Sequence, residues 1–317
     1  RNHGDESAGL YANGHVLIFG TGVETKPSSV TATGYPETAY PQIVGGSNGL
    51  TADLNVNRIP LGESNPVELG TLLILHNGTY GNVVAGSRGG SVDGSTYVVL
   101  KEVTVLDTLV GACSSTGSVS GSTYVYATSL RMSGDHYEEN LLDSTNIEVS
   151  NILESTIITG GSNNGSVSGD THVFISGDSE VWDVQGAGRR GASTVSGTAM
   201  VEVSGEAIVK HTVCGSITDG INSGTDKKCV DSTDIRIKDS AAVGSVFGAG
   251  YDTFYKANFV SMMNGGTIRV TLEGSCTVGY VYGGGYRGTI GTPTQPLDSV
   301  NIEIRGGTVL GDVFGGG

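Results

Sequence analysis

The groups able to do chemistry in this 317-residue chain are scattered carboxylates, a set of aromatics beside arginines, and four cysteines. Hydrolysis of a glycosidic bond needs two carboxyl groups at a defined separation, one acting as acid and one as base or nucleophile. No Asp-Asp dipeptide occurs anywhere in the chain. Asp170 and Asp178 bracket one apolar segment, but the equivalent segments on either side bring no aligned acidic partner. The acidic run Asp135-His136-Tyr137-Glu138-Glu139-Asn140, closing near Asp143, offers hard oxygens to calcium. It lacks the ligand spacing of a known calcium loop and reads first as a solvated loop. The six histidines show no metal-type pairing. No catalytic residue and no metal site are therefore assigned, and calcium at the acidic run is the one cofactor candidate.

Recognition is better represented. Tyr251, Phe254, Tyr255 and Phe259 fall in one insertion, and Tyr286 with Arg287 opens the next. Aromatic rings stack on sugar rings and Arg adds polar contacts, although the same rings also serve to pack loops onto a protein body. Arg88, Arg189, Arg190 and Arg287 each follow a glycine turn, where they can meet an acidic glycan or balance nearby acids. Cys214 and Cys229 flank a further insertion and are candidates for a disulfide. Cys113 and Cys276 are not, since the repeats that carry them stand about 24 Å apart at ~4.8 Å per layer. Asn77-Gly78-Thr79 and Asn164-Gly165-Ser166 match glycosylation sequons, but Asn-Gly is also ordinary turn chemistry.

The elements that must position these groups recur. Eight pairs of apolar residues are each followed, eleven residues after the second member, by a small residue opening a glycine-rich turn. The pairs are Leu72/Ile74, Val98/Leu100, Ile147/Val149, Val173/Ile175, Val201/Val203, Ile235/Ile237, Val270/Leu272 and Ile302/Ile304. The turns open at Ala85, Gly111, Gly160, Gly186, Cys214, Gly248, Gly283 and Gly315. Between the paired residues anything is tolerated, from Leu73 and Phe174 to Glu148, Glu202, Arg236, Thr271 and Glu303, which is the period-two mark of a strand with one buried face. Glu202 and Arg236 on successive repeats are placed to pair. A second apolar row precedes the turns by two residues, including Val83, Leu109, Ile158, Val184, Thr212 and Val246. Glycines at 81, 244, 279 and 311 suggest a corner.

A fixed core spacing inside repeats of variable length predicts a solenoid. The expected fold is all-β: a three-sided right-handed parallel β-helix with about eight clear rungs over 71–317. Residues 1–70 are expected to form irregular N-terminal rungs or a cap. The extra length follows the turns, which predicts insertions along one edge, commonly the working face of such a stack.

Composition narrows the function. The net charge of −15 argues against nucleic acid, which needs clustered Lys and Arg. No apolar run reaches membrane-spanning length and no signal peptide is visible. The chain starts without Met and stops inside a repeat, which reads as a fragment or processed product. The 306–317 stretch, Gly-Gly-Thr-Val followed by Val-Phe-Gly-Gly-Gly, and Val281-Tyr282-Gly283-Gly284-Gly285 resemble the glycine-rich repeats of large bacterial cell-surface and adhesin-type proteins. Those repeats are assigned to the right-handed parallel β-helix, or pectate-lyase-like, class. The resemblance spans roughly residues 70–317, implies surface display or adhesion, and carries over no catalytic residue. Of the signature of polysaccharide hydrolases on this fold only Arg236-Ile237-Lys238 occurs, with Ile237 in a core position.

The expectation is a non-catalytic extracellular segment, acting as adhesin, stalk or filament. It would contact a glycan or a cell-surface protein through its loop edge, with self-association open. A polysaccharide lyase or glycoside hydrolase with an atypical site, and a phage tail fibre or spike, are the alternatives.

Overall fold

The computed structural model describes residues 9–12, 17–20, 42–46, 59–60, 68–132, 157–189, 193–216, 229–251, 266–286, 290 and 297–316. Among these every regular element is a strand, and no helix is long and apolar enough to cross a membrane. Two sheets hold the strands, one of eleven and one of fourteen. All pairings are parallel except that of Ile59–Pro60 with Glu68–His76.

In the first sheet the strands Leu17–Phe19, Glu68–His76, Ser95–Lys101, Thr123–Thr128, Thr171–Ser176, Thr194–Val203, Val230–Ile237, Thr267–Leu272 and Ser299–Ile304 lie side by side in that order. Alternation puts one residue in two inside. Val98, Val125, Val173, Val201, Ile235 and Val270 form one unbroken buried column. The second sheet supplies a matching column of Val83, Leu109, Ile158, Val184, Val213, Val246 and Val281. A third row, Val92, Val119, Val167, Val195 and Val230, is joined by single bridges and by the early parts of two first-sheet strands. All three rows belong to one hydrophobic cluster. Each fully buried Val, Leu or Ile contributes about 1.5–3 kcal/mol of transfer free energy, so every layer depends on its neighbours to exclude water from its own residues.

Three details differ from the sequence reading, each for a local reason. The first pair is Leu73/Leu75, not Leu72/Ile74: Leu73 and Leu75 are buried and stack on Val98 and Leu100. The run Leu72-Leu73-Ile74-Leu75 has no alternation to read, and a register shift between Leu69 and Thr71 moves the frame by one. The strand between Val98/Leu100 and Val173/Ile175 carries Val125/Ala127, whereas Ile147/Val149 and Glu148 lie outside the described residues. The turn assigned to Cys214 opens at Gly215, with Val213 rather than Thr212 in the core column. A β-bulge at Lys210-His211 inserts the extra residue.

Gly244 and Gly279 are not corners, since both sit inside strands and neither has positive φ. Their missing side chains are explained by close approach: a Cβ on Gly279 would drive into the carbonyl of Gly244, and one on Gly244 into those of Lys210 and His211. The left-handed corner comes earlier, directly after the first-sheet strands, at Asn77, Glu102, Ser129, Gly177, Gly205, Asp239 and Gly274. Asn77-Gly78 of the first sequon is part of that corner.

Two polar ladders fasten the layers. Thr71, Thr96, Thr123, Thr171 and Thr233, each buried two residues before the core pair, donate Oγ1 to the carbonyls of Ala85, Gly111, Gly160, Gly186 and Gly248 at 2.5–2.7 Å. Each turn is thereby tied across the core to its own first-sheet strand. At the other corner, Ser95, Ser122 and Asp170 accept backbone N–H bonds from Ser122, Asp170 and Thr198 of the next layer. Buried turn carbonyls and partly buried amides are thereby given partners.

The insertions do not all leave one edge. Segments 217–228 and 252–265 follow the glycine turns, but 133–156 joins Met132 to Ile157, two strand residues of the second sheet. Ala127 therefore stands 33 residues before Gly160, whereas Leu100 stands eleven before Gly111.

Candidate functional site

Strand alternation builds an aromatic edge on the second sheet. Phe247 and Tyr282 each follow a core valine (Val246, Val281), and Phe314 follows Val313, which continues that column at its exposed end, so the three rings lie on the opposite side and align in register. Their rings stack with centroids 4.7 and 5.0 Å apart and planes within 8°. Four residues beyond Phe247 and Tyr282, past the glycine turns, Tyr251 and Tyr286 meet through a parallel bridge. Their rings stack at 5.1 Å. His211 presents edge to face against Tyr251 at 5.5 Å.

The bulge brings His211 there. One Asp183 oxygen receives Thr212 N–H at 3.1 Å and Thr212 Oγ1 at 2.5 Å, and lies 2.9 Å from His211 Nδ1. Asn82 holds Thr108 in the same way three strands earlier along the sheet. This bond pair is a device for fastening the bend, and His211 is the addition. The bond to Asp183 raises the His211 pKa above its ordinary 6.5, against an opposing effect of burial. Burial, then the charge of Asp183, pushes the Cys214 thiol up, so it stays protonated and inert. Thr212 already uses its hydroxyl on Asp183. Neither is prepared as a nucleophile. On the bulge's solvent side Lys210 reaches Glu180 and lies 5.2 Å over the ring of Trp182.

Of the residues singled out from sequence, Tyr251 and Tyr286 are brought together. Arg189 is half-buried after its turn, its backbone bonded to Ser162. Phe254, Tyr255, Phe259, Arg190, Arg287 and the acidic run 135–140 lie outside the described residues. Cys214 and Cys229 are both buried and are not joined as a disulfide. Cys229 belongs to the core cluster, while Cys214 alternates with the core residue Val213. Glu202 and Arg236 are neighbours across strands but do not pair with each other. Arg236 bonds Asp234 at 2.7 Å and Glu202 bonds Lys238 at 2.8 Å, because the side chain two positions along its own strand satisfies Arg236 first.

A second aromatic array was missed. On the outer face of the first sheet Tyr97, Tyr124 and His172 stack at 4.4 and 4.6 Å, and Tyr126 stacks on Phe174 at 4.9 Å, all within 7° of parallel. Parallel rings so close cannot lie side by side, so they stand on edge and cover one another's faces. Burial pushes the Tyr97 hydroxyl up to about 12. The sequence signal was available in the recurrences Gly90-Ser-Val-Asp-Gly-Ser-Thr-Tyr97, Gly117-Ser-Val-Ser-Gly-Ser-Thr-Tyr124 and Gly165-Ser-Val-Ser-Gly-Asp-Thr-His172. Each sets one inner Val, one inner Thr and one outer ring.

What fold and edge define together is an all-β chain of in-register parallel sheets with aromatic ladders on two outer faces. No family model, curated protein or solved structure matches it.

Proposed function

We propose that this chain is a three-sided right-handed parallel β-helix serving as a non-catalytic segment of a secreted or cell-surface protein, in the manner of the glycine-rich adhesin repeats it resembles. One observation carries the reading: first-sheet strands from Leu17–Phe19 to Ser299–Ile304 add layer on layer in parallel register around one core. Each layer adds ~4.8 Å of length and contacts only its neighbours, which suits a stalk or filament. Contact with a glycan falls to the edge where Tyr251, Tyr286 and His211 meet. A ring beside a polar, hydrogen-bonded group is the usual composition of a sugar subsite, and the acidity of the chain favours neutral glycans.

The test is a panel of immobilised neutral and acidic polysaccharides, probed with the chain and with Tyr251→Ala and Tyr286→Ala. Retention on a neutral member, weakened about tenfold (~1.4 kcal/mol) by either substitution, is expected. Cleavage of any polysaccharide, or retention indifferent to both substitutions, overturns the reading.

A further inference from the structure

Register between layers places two phenols face to face. Tyr97 and Tyr124 are register partners on the outer face of the first sheet, 27 residues apart in the chain. Their rings stack with centroids 4.4 Å apart and planes within 7°, the shortest tyrosine–tyrosine contact among the described residues. The far face of Tyr124 is closed by His172 at 4.6 Å, and Tyr126 stacks on Phe174 at 4.9 Å. Neither of those partners carries a phenol, so Tyr97 is the tyrosine that faces Tyr124. Both rings are half-buried, and part of each remains open to solvent. Burial, then the neighbouring Tyr124, pushes the Tyr97 hydroxyl up to about 12, so it stays a phenol at neutral pH.

We infer that Tyr97 and Tyr124 are a site of oxidative cross-linking, joined as dityrosine by hydrogen peroxide acting through a peroxidase. Each phenol gives up one electron and its hydroxyl proton, and the peroxide takes up both pairs to become two waters. The unpaired electron of a phenoxyl is shared with the ortho ring carbons, in orbitals that point along the ring normal. Stacked faces aim those orbitals at one another, so a carbon–carbon bond forms between one ortho carbon of each ring. The hydrogen on each joined carbon then moves to its own ring's oxygen, which restores both aromatic rings. Two tyrosines and one peroxide thus give one dityrosine and two waters. The rings splay about the new bond, as side chains on an outward face are free to do. The link ties two adjacent layers covalently and closes a loop in the unfolded chain, which favours the folded form. It depends on the ring geometry alone and is independent of any glycan contact at Tyr251 and Tyr286.

The test treats the whole chain, in dilute solution, with a peroxidase and hydrogen peroxide, then digests it with trypsin for mass spectrometry. Trypsin cuts after Arg88, Lys101 and Arg131. The expected product joins segments 89–101 and 102–131 and is lighter than their sum by the two hydrogens lost. Tyr97→Phe and Tyr124→Phe, which keep the stack, each abolish it, whereas Tyr126→Phe, in the same segment as Tyr124, leaves it. Unfolding the chain in guanidinium before oxidation scatters the links among other tyrosines. Treatment raises the Tm of the parent chain and not that of Tyr97→Phe. Absence of the product, its survival in Tyr124→Phe, its loss in Tyr126→Phe, an equal yield from unfolded chain, or a parent Tm that treatment does not raise overturns the inference.

Discussion

Thr123 illustrates how single side chains hold this molecule. Its hydroxyl reaches the Gly160 carbonyl at 2.6 Å although 37 residues separate them, because segment 133–156 intervenes. Thr123→Val keeps the shape and the β-branch but leaves a buried carbonyl without a donor, at a cost of about 1–3 kcal/mol. Thermal unfolding should show a clear fall in Tm, and an unchanged Tm would mean that the ladder is decorative. His211 gives a pH signature. Its folded pKa is raised above 6.5, so the stability from its pairing with Asp183 is fully present below pH 6.5 and is lost as pH rises through the folded value. His172 works in the opposite sense. Burial lowers its pKa against the pull of Asp170, so its contribution fades as pH falls from 6.5 through the folded value. The Tm difference between the parent chain and His211→Gln should therefore be larger at about pH 6 than at about pH 8; a constant difference would show that the pair does not titrate.

At the scale of elements, legibility followed alternation. Strands with a clean apolar–variable–apolar pattern, such as Val173/Ile175 and Ile235/Ile237, were placed correctly because period two has only one burial solution. Misplacements occurred where that rule was silent. Four consecutive apolar residues at 72–75 carry no phase, Ala127 is too small to announce a core position, and a bulge is a one-residue event that composition does not mark. The glycines after the core valines were legible as turns, but their cause is spatial. Gly248 must stay bare because a Cβ would enter the Gly283 carbonyl and the Ile268 side chain of the next layer. The left-handed corner was illegible because Glu102, Ser129 and Asp239 occupy it along with glycines.

For the whole molecule, the shared core predicts that damage spreads. Ile237 is fully buried between Val203 and Leu272. Ile237→Asp should destabilise on the order of 3–5 kcal/mol, as an uncompensated buried charge does. Hydrogen exchange should rise together in the strands Thr194–Val203, Val230–Ile237 and Thr267–Leu272. Exchange confined to the mutated strand would contradict nearest-neighbour coupling of the layers. Glu303→Gln, on the outward face of the last first-sheet strand, is the matched control and should leave exchange unchanged.

What the amino-acid order determined by itself was the alternation of buried and outward positions, the glycine turns and the aliphatic character of the core, since each depends on residues a few places apart. Tertiary structure decided which strand lies beside which. It thereby set the meeting of Tyr251 with Tyr286, the stacking of rings 27 and 48 residues apart on the first sheet, and the placing of His211 by a bulge. Those contacts arise from the register between layers, and register depends on the whole stack closing over one core.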